Sequence, residues 1–151
     1  MAQIDIDTLR AMTGQEIGVS RWFEVDQARI SEFARVTEDE QFIHVDPGRA
    51  ASTSFGGTVA HGFLSVSLLA PMSFDAQPTI KGQKMAVNYG FDRLRLINPV
   101  LSGSRVRGRF RLEDLTARGA AEYMMRIDAT VEIEGIAKPA LKAAWLTIIY
   151  I

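Results

Sequence analysis

The feature that most constrains this chain is a long stretch without charge. Between Arg49 and Asp75 the only ionisable side chain is His61, although 23% of the 151 residues are charged. Charged residues are almost never fully buried, so a run that lacks them reads as core. Within it, Gly62 to about Met72 predicts one helix with Pro71 near its end, and Phe63, Leu64, Val66, Leu68 and Leu69 leave that helix no polar face. A helix apolar all round has to be enclosed by the rest of the fold. It does not read as a membrane span. Glycines, serines, threonines and Pro71 leave only about ten strongly apolar residues in a row, and a span needs ~20.

The C-terminal half supplies something to enclose it. Met85, Val87, Tyr89 and Phe91 alternate with other residues, and Leu94 and Leu96 continue on the opposite parity. That one-residue slip predicts a bulge near Asp92. Val106, Gly108, Phe110 and Leu112 alternate with the four arginines Arg105, Arg107, Arg109 and Arg111, a ladder that reads as a solvated strand face. Tyr123 to Ile133 alternate likewise, and Ala143 to Ile151 form a last strand, with Pro139 near its start. Four long amphipathic strands and one apolar helix predict an α+β fold, a curved antiparallel sheet wrapped around a buried central helix.

Upstream, Ile6, Leu9 and Met12 are spaced for a short helix stopped by Gly14, and Ser20–Val25 predicts a strand. Asp26 caps a helix to about Val36 that turns Ile30, Phe33 and Ala34 inward. Residues 38–45 read as loop or short turns. Asp46-Pro47 restarts a helix, which Gly56-Gly57 ends.

Both histidines fall in the segment between these elements. Asp39 precedes His44 by five residues, a spacing suited to an acid/base pair. His61 precedes Gly62, where the apolar helix begins. The first amides of a helix have no intrahelical acceptor, and a buried helix start is a candidate oxyanion site. For His61 itself a structural or substrate-side role is favoured over catalysis.

Composition removes several functions. A net charge of −1 and a pI near 6.1 give no basic footprint for nucleic acid. The absence of cysteine excludes disulfides, thiolate metal sites and a cysteine nucleophile, and it suits a cytoplasmic location. Two histidines without cysteine make a poor metal set, so no metal is expected. Residues 1–7 have neither a basic nor an apolar segment of a signal peptide.

Three sequence patterns in order carry a family resemblance. They are Asp39-x4-His44 followed by Val45-Asp46-Pro47, then Phe55-Gly-Gly-Thr-Val-Ala-His-Gly-Phe-Leu64, then Asn88-Tyr-Gly-Phe-Asp-Arg-Leu-Arg95. Together they resemble the MaoC-like (R)-specific enoyl-CoA hydratases, nearest to the nodulation-protein-N-like branch, from about Val25 to the C-terminus. The resemblance implies that residues 1–151 form a single hot-dog domain. It also implies a homodimer joined edge to edge, with active sites near the dimer interface. Asp39 and His44 match the family's acid and histidine, and the Gly62 amide matches its oxyanion donor. Gln41, Phe42, His61 and Phe63 are expected to face the substrate. The chain departs from the usual motif, which has glycine before the acid and Asn-Pro after it; here stand Glu38, Gln41 and Phe42.

The chemistry implied is hydration of a trans-2-enoyl thioester, or the reverse dehydration of a 3-hydroxyacyl thioester. A water held by Asp39 and His44 would supply the nucleophile and the proton, and the Gly62 amide would hold the thioester oxygen. No cofactor is needed, with coenzyme A or acyl carrier protein entering only as part of the substrate. Arg49, Lys81, Lys84, Arg93 and Arg95 are the candidate contacts for carrier phosphates. Two other readings stay open. One is a catalytically silent acyl-thioester-binding protein. The other is a hot-dog thioesterase, although its carboxylate would sit on the buried helix, and residues 63–72 contain no acid.

Overall fold

The computed structural model describes residues 3–151. The elements run β1 (Gln3–Ile4), α1 (Ile6–Ala11), β2 (Glu16–Val19), β3 (Phe23–Val25), α2 (Gln27–Thr37), α3 (Phe42–Val45), α4 (Pro47–Ala50), α5 (Gly62–Ser67), α6 (Leu69–Ala76), β4 (Thr79–Ile80), β5 (Met85–Leu96), β6 (Ser104–Ala117), β7 (Glu122–Ile133) and β8 (Ile136–Tyr150). The main sheet is antiparallel, in the order β2-β6-β7-β8-β5, and β3 pairs with β6 beside β2. β1 and β4 form a small parallel pair apart from it.

The long strands bury the faces that their alternation assigns. Val106, Phe110 and Leu112 of β6 and Ile127, Ala129 and Val131 of β7 are completely buried, and Trp145 and Ile149 of β8 nearly so. α6 lies against this face. Gly108 permits the approach, since a Cβ there would stand 3.0 Å from the Met72 Cβ and closer still to the Phe110 ring. This is the expected curved sheet around a central helix.

That helix differs from expectation in two respects. It is two helices, α5 and α6, meeting at Leu68. Pro71 accounts for the break: it has no N–H to donate to Ser67, and its ring crowds that carbonyl. Proline therefore stands in the first turn of α6, where it is tolerated, and not near the end of a longer helix. The enclosure is also incomplete in the single chain. Leu64, Leu68, Leu69 and Met72 are buried, but Phe63 and Phe74 are 70% and 69% exposed.

Smaller corrections have local causes. The strand expected at Ser20–Val25 is only β3, and an unforeseen β2 precedes it. Ser20 makes the step between them. Its N–H donates to Gly108 O (2.8 Å), and its hydroxyl oxygen accepts from Gly108 N–H (2.9 Å). α4 ends at Ala50, well before the glycines, where the Thr53 hydroxyl donates to the Ala50 carbonyl (2.6 Å). β5 has the bulge near Asp92 and a second at Tyr89. The arginine ladder is the solvated face foreseen for it, and three of its arginines are paired with acids. Arg105 binds Glu134 through two 2.6 Å bonds, and Arg107 and Arg109 share Glu132 at 2.6 and 3.1 Å. Among the described residues no helix is long and apolar enough to cross a membrane.

Candidate active site

The two histidines are brought together by a clasp of backbone and side-chain hydrogen bonds around α3. α2 begins at Asp26, whose carboxylate accepts from Arg29 N–H (2.8 Å), as the cap pattern predicts. It ends at Glu38 in the left-handed region, φ 61° and ψ 18°. This is the position after a helix where glycine usually turns the chain, and it sets the direction of Asp39. One turn of α3 follows, and then Asp46 caps α4 through Arg49 N–H (3.0 Å) with Pro47 first in the helix.

The segment before α5 then closes on α3. Val59 N–H donates to Ile43 O (3.0 Å), and Val59 O accepts from His44 Nδ1 at 2.6 Å. A carbonyl only accepts, so Nδ1 carries the proton and Nε2 of the neutral ring is left bare. Gln27, the first residue of α2, ties both segments to the helix. Its Nε2 donates to His44 O (2.7 Å), and its Oε1 accepts from the Thr58 hydroxyl (2.5 Å).

His61 arrives on the same spot. Its ring stacks on His44 with centroids 3.7 Å apart and planes 23° apart, and Phe33 of α2 lies 4.9 Å away on a tilted plane. His61 Nε2 donates to the backbone carbonyl of Asp39 (2.9 Å). That leaves Nδ1 as the unprotonated nitrogen, buried and without a protein partner. His44 is 7% exposed and His61 2%, whereas Asp39 reaches solvent. A carboxylate oxygen of Asp39 and one ring nitrogen from each histidine lie within 4.8 Å of one another. Such a trio has the donor types for a divalent cation. The same three groups also have the donors and acceptors to hold a water between carboxylate and imidazole.

Gly62 follows His61 directly. Hydrogen bonding within α5 begins with Leu64 and Ser65 N–H to His61 O (3.1 and 3.3 Å), so the Gly62 and Phe63 amides precede the first intrahelical bond. A Cβ at position 62 would overlap Cδ1 of the exposed Leu96 of β5, so a larger residue there displaces the end of that side chain. The remaining expected residues are less concentrated. Gln41 is exposed, Phe42 is half-buried under the Arg49 guanidinium (4.2 Å), and Phe63 faces solvent in the single chain.

The domain family described as MaoC-like matches residues 9–133. The chain belongs to this family. Nodulation protein N of Rhizobium meliloti is 51% identical over 149 residues, covering 98% of this chain and 92% of the relative. The 3-hydroxyacyl-thioester dehydratase Z of Mycobacterium tuberculosis is 42% identical over 135 residues, 89% of each. Among solved structures, the MaoC-like dehydratase from Rhodospirillum rubrum superposes with a TM-score of 0.80 at 16% identity, covering 97% of both chains. The (R)-hydratase from A. caviae gives 0.69 at 22%, covering 92% of this chain and 96% of its own. These likenesses establish the hot-dog fold.

In this MaoC-like chain the fold brings Asp39, His44 and His61 together, and Gly62 follows His61 in the chain. Gln27, Thr58, Val59 and Phe33 complete the site and were not anticipated. Gln27 and Thr58 are 31 residues apart, and His44 and Val59 are 15 apart. No local spacing marks such pairs.

Proposed function

We propose that the chain hydrates trans-2-enoyl thioesters with (R) specificity, or dehydrates the corresponding 3-hydroxyacyl thioesters. The observation that carries this reading is the bare His44 Nε2 in a buried site with the Asp39 carboxylate close by. Asp39 and His44 hold a water. As the water oxygen adds to C3, His44 Nε2 takes one of its protons and passes that proton on to C2, so a single water supplies both groups added. Charge developing on the thioester oxygen is met by the Gly62 N–H. A pair of this kind contributes roughly 10²–10⁴-fold, and an oxyanion donor on the order of 10²–10³-fold.

The fixed tautomer supports the assignment, because the Val59 carbonyl holds the His44 proton on Nδ1 and keeps Nε2 available as a base. The alternatives are weaker on the same geometry. A silent binding protein would not require Asp39 and His44 to face one another. A thioesterase would need a carboxylate on the central helices. Asp75 is the only one there, and it accepts from Arg21 N–H at 2.6 Å.

The reading includes a homodimer. β5 is the sheet edge, and its Met85, Val87, Tyr89, Phe91 and Leu96 are all exposed. A long apolar edge is ordinarily covered. A second copy extending the sheet there would cover it.

Mixing the protein with crotonyl-CoA tests the reaction. Loss of the enoyl-thioester absorbance with formation of (R)-3-hydroxybutyryl-CoA is expected. Free thiol would indicate hydrolysis instead, and an unchanged spectrum would contradict the proposal.

A further inference from the structure

The Asp39–His44–His61 cluster is built more completely than one acid and one base require. Both imidazole rings are held from behind by a main-chain carbonyl. His44 Nδ1 donates to Val59 O at 2.6 Å, and His61 Nε2 donates to Asp39 O at 2.9 Å. Each bond keeps the proton on one nitrogen and leaves a bare lone pair on the other, Nε2 of His44 and Nδ1 of His61. Histidines that ligate metal ions nearly always donate their second N–H in this way, which fixes the tautomer and makes the ligating nitrogen more basic. For His44 the reaction itself gives a reason, since that ring is the base. His61 carries no proton in the reaction, yet it is prepared in the same manner. It is 2% exposed, and its Nδ1 is buried without a protein partner.

Counted along the chain, two histidines and no cysteine are a poor metal set. The fold gathers all of that set at one point and adds a carboxylate. An Asp39 oxygen and one nitrogen from each ring lie within 4.8 Å of one another. Two imidazoles with one carboxylate suit zinc and its neighbours among the transition metals, whereas magnesium and calcium favour oxygen ligands throughout. A tetrahedral zinc bound at ~2.0–2.1 Å spaces its ligands roughly 3.4 Å apart, so the widest gap has to close by no more than about 1.4 Å. The two stacked, buried rings form the fixed side of the site. Asp39 reaches solvent and forms the adjustable side.

We propose that Asp39, His44 and His61 bind a divalent cation of the zinc class, and that the bound ion shuts off the reaction. The binding half stands on the site geometry alone; the inhibition half rests on the thioester hydratase reading. The ion takes the His44 Nε2 lone pair and the Asp39 carboxylate, the two groups that hold and deprotonate the water. A hydroxide on the ion can still add to C3, but with both rings ligated neither histidine can carry a proton to C2. The ion is thus an inhibitor of this site and not part of its working machinery.

Binding is read first without substrate, on the ¹⁵N-labelled full chain carrying no histidine tag. Its two histidines are the only imidazoles, so long-range ¹H–¹⁵N spectra report on this site alone. Before metal, the proton should sit on Nδ1 of His44 and on Nε2 of His61. Zinc chloride should shift the bare nitrogen of both rings, saturating at one equivalent. A shift in neither ring, or in only one, would overturn the site. Calorimetry then compares zinc affinity in the wild type, His61→Gln and Asp39→Asn. Each variant should weaken binding at least roughly 10–100-fold, the loss that even a supporting contact costs a metal site. Affinity unchanged in both variants would assign the zinc to surface carboxylates and overturn the proposal.

Turnover is read separately. Crotonyl-CoA hydration by the wild type should fall in proportion to zinc occupancy and return on adding EDTA. Both rings shifting without any hydration, with or without zinc, would leave the site standing and sink only the hydratase reading. Hydration by a protein whose rings ignore zinc would do the reverse. Zinc bound at both rings with hydration unchanged or faster would overturn the inhibition.

Discussion

Two polar clusters in this molecule treat their hydrogen bonds in opposite ways. On β6 and β7, Arg105, Arg107 and Arg109 are matched to Glu134, Glu132 and Glu16 at 2.5–3.1 Å, at the solvent surface. Around α3 the polar groups are buried, and the matching stops one step short. His44 and His61 each commit one ring nitrogen to a backbone carbonyl and keep the other free. A saturated surface cluster contributes modest stability and has nothing left to offer a ligand. A buried cluster left incomplete costs stability and keeps bonding capacity for something else. The difference separates structure from site more sharply than residue type does, since both clusters are made of ordinary ionisable groups.

Substitutions should separate them just as sharply. The largest effect belongs to the buried pair: His44→Ala should lower hydration at least about a hundredfold, while Arg109→Gln should leave it within about twofold. Steady-state kinetics on crotonyl-CoA reads both. Next comes Gly62. Alanine and proline there meet the same Leu96 overlap, but only proline removes the N–H. His61 already has φ −57° and ψ 138°, the conformation favoured before proline. Gly62→Pro should lose on the order of 10²–10³-fold in kcat and Gly62→Ala far less. Equal losses would assign Gly62 to packing alone.

Gln27→Leu breaks the clasp without touching the reacting groups. Leaving His44 O and the Thr58 hydroxyl unpaired should reduce stability by about 1–3 kcal/mol in urea unfolding and lower kcat through a displaced α3. Glu38→Gly should act in the other direction. It relieves a left-handed conformation that disfavours side chains by roughly 1–2 kcal/mol, less the chain entropy that glycine adds. A gain of about 0.5–1 kcal/mol is expected. A loss of activity from so mild a change would mean that the Glu38 carboxylate itself is used.

The smallest effect lies on the saturated cluster. Burial alone would raise the Glu132 carboxyl, but hydrogen bonds from Arg107 and Arg109 outweigh it and hold the group below the ordinary glutamate value of 4.5. A depressed carboxyl stabilises the fold above its unfolded value, and that contribution disappears as pH falls through the lower folded value. Glu132→Gln should therefore cost about 0.5–1 kcal/mol near neutrality and almost nothing in acid. Chemical denaturation at the two pH values checks the sign.

Much of this was legible in the sequence because it is periodic or local. The alternation of β6, β7 and β8 named their buried residues, Asp26 and Asp46 capped the helices they precede, and the parity change in β5 marked its bulge at Asp92. Asp39, His44 and Gly62 stood out through motif order. What stayed hidden has two causes. The sequence places Pro71 near the end of one helix, whereas its effect falls on the carbonyl four residues earlier and splits the helix at Leu68. Gln27, Thr58 and Val59 act through contacts between distant segments, and β2 exists because β6 offers it an edge beside β3. Neither kind of partnership leaves a trace in local spacing.

The most direct test of the central claim is a double-mutant cycle on Asp39 and His44. Crotonyl-CoA hydration is measured for the wild type, Asp39→Asn, His44→Ala and the double variant, with urea unfolding confirming that each is folded. If the two side chains hold one water, each single variant loses at least about a hundredfold, and the double variant is within a few-fold of the worse single. Losses that multiply, or a single variant that turns over like the wild type, would contradict a shared water.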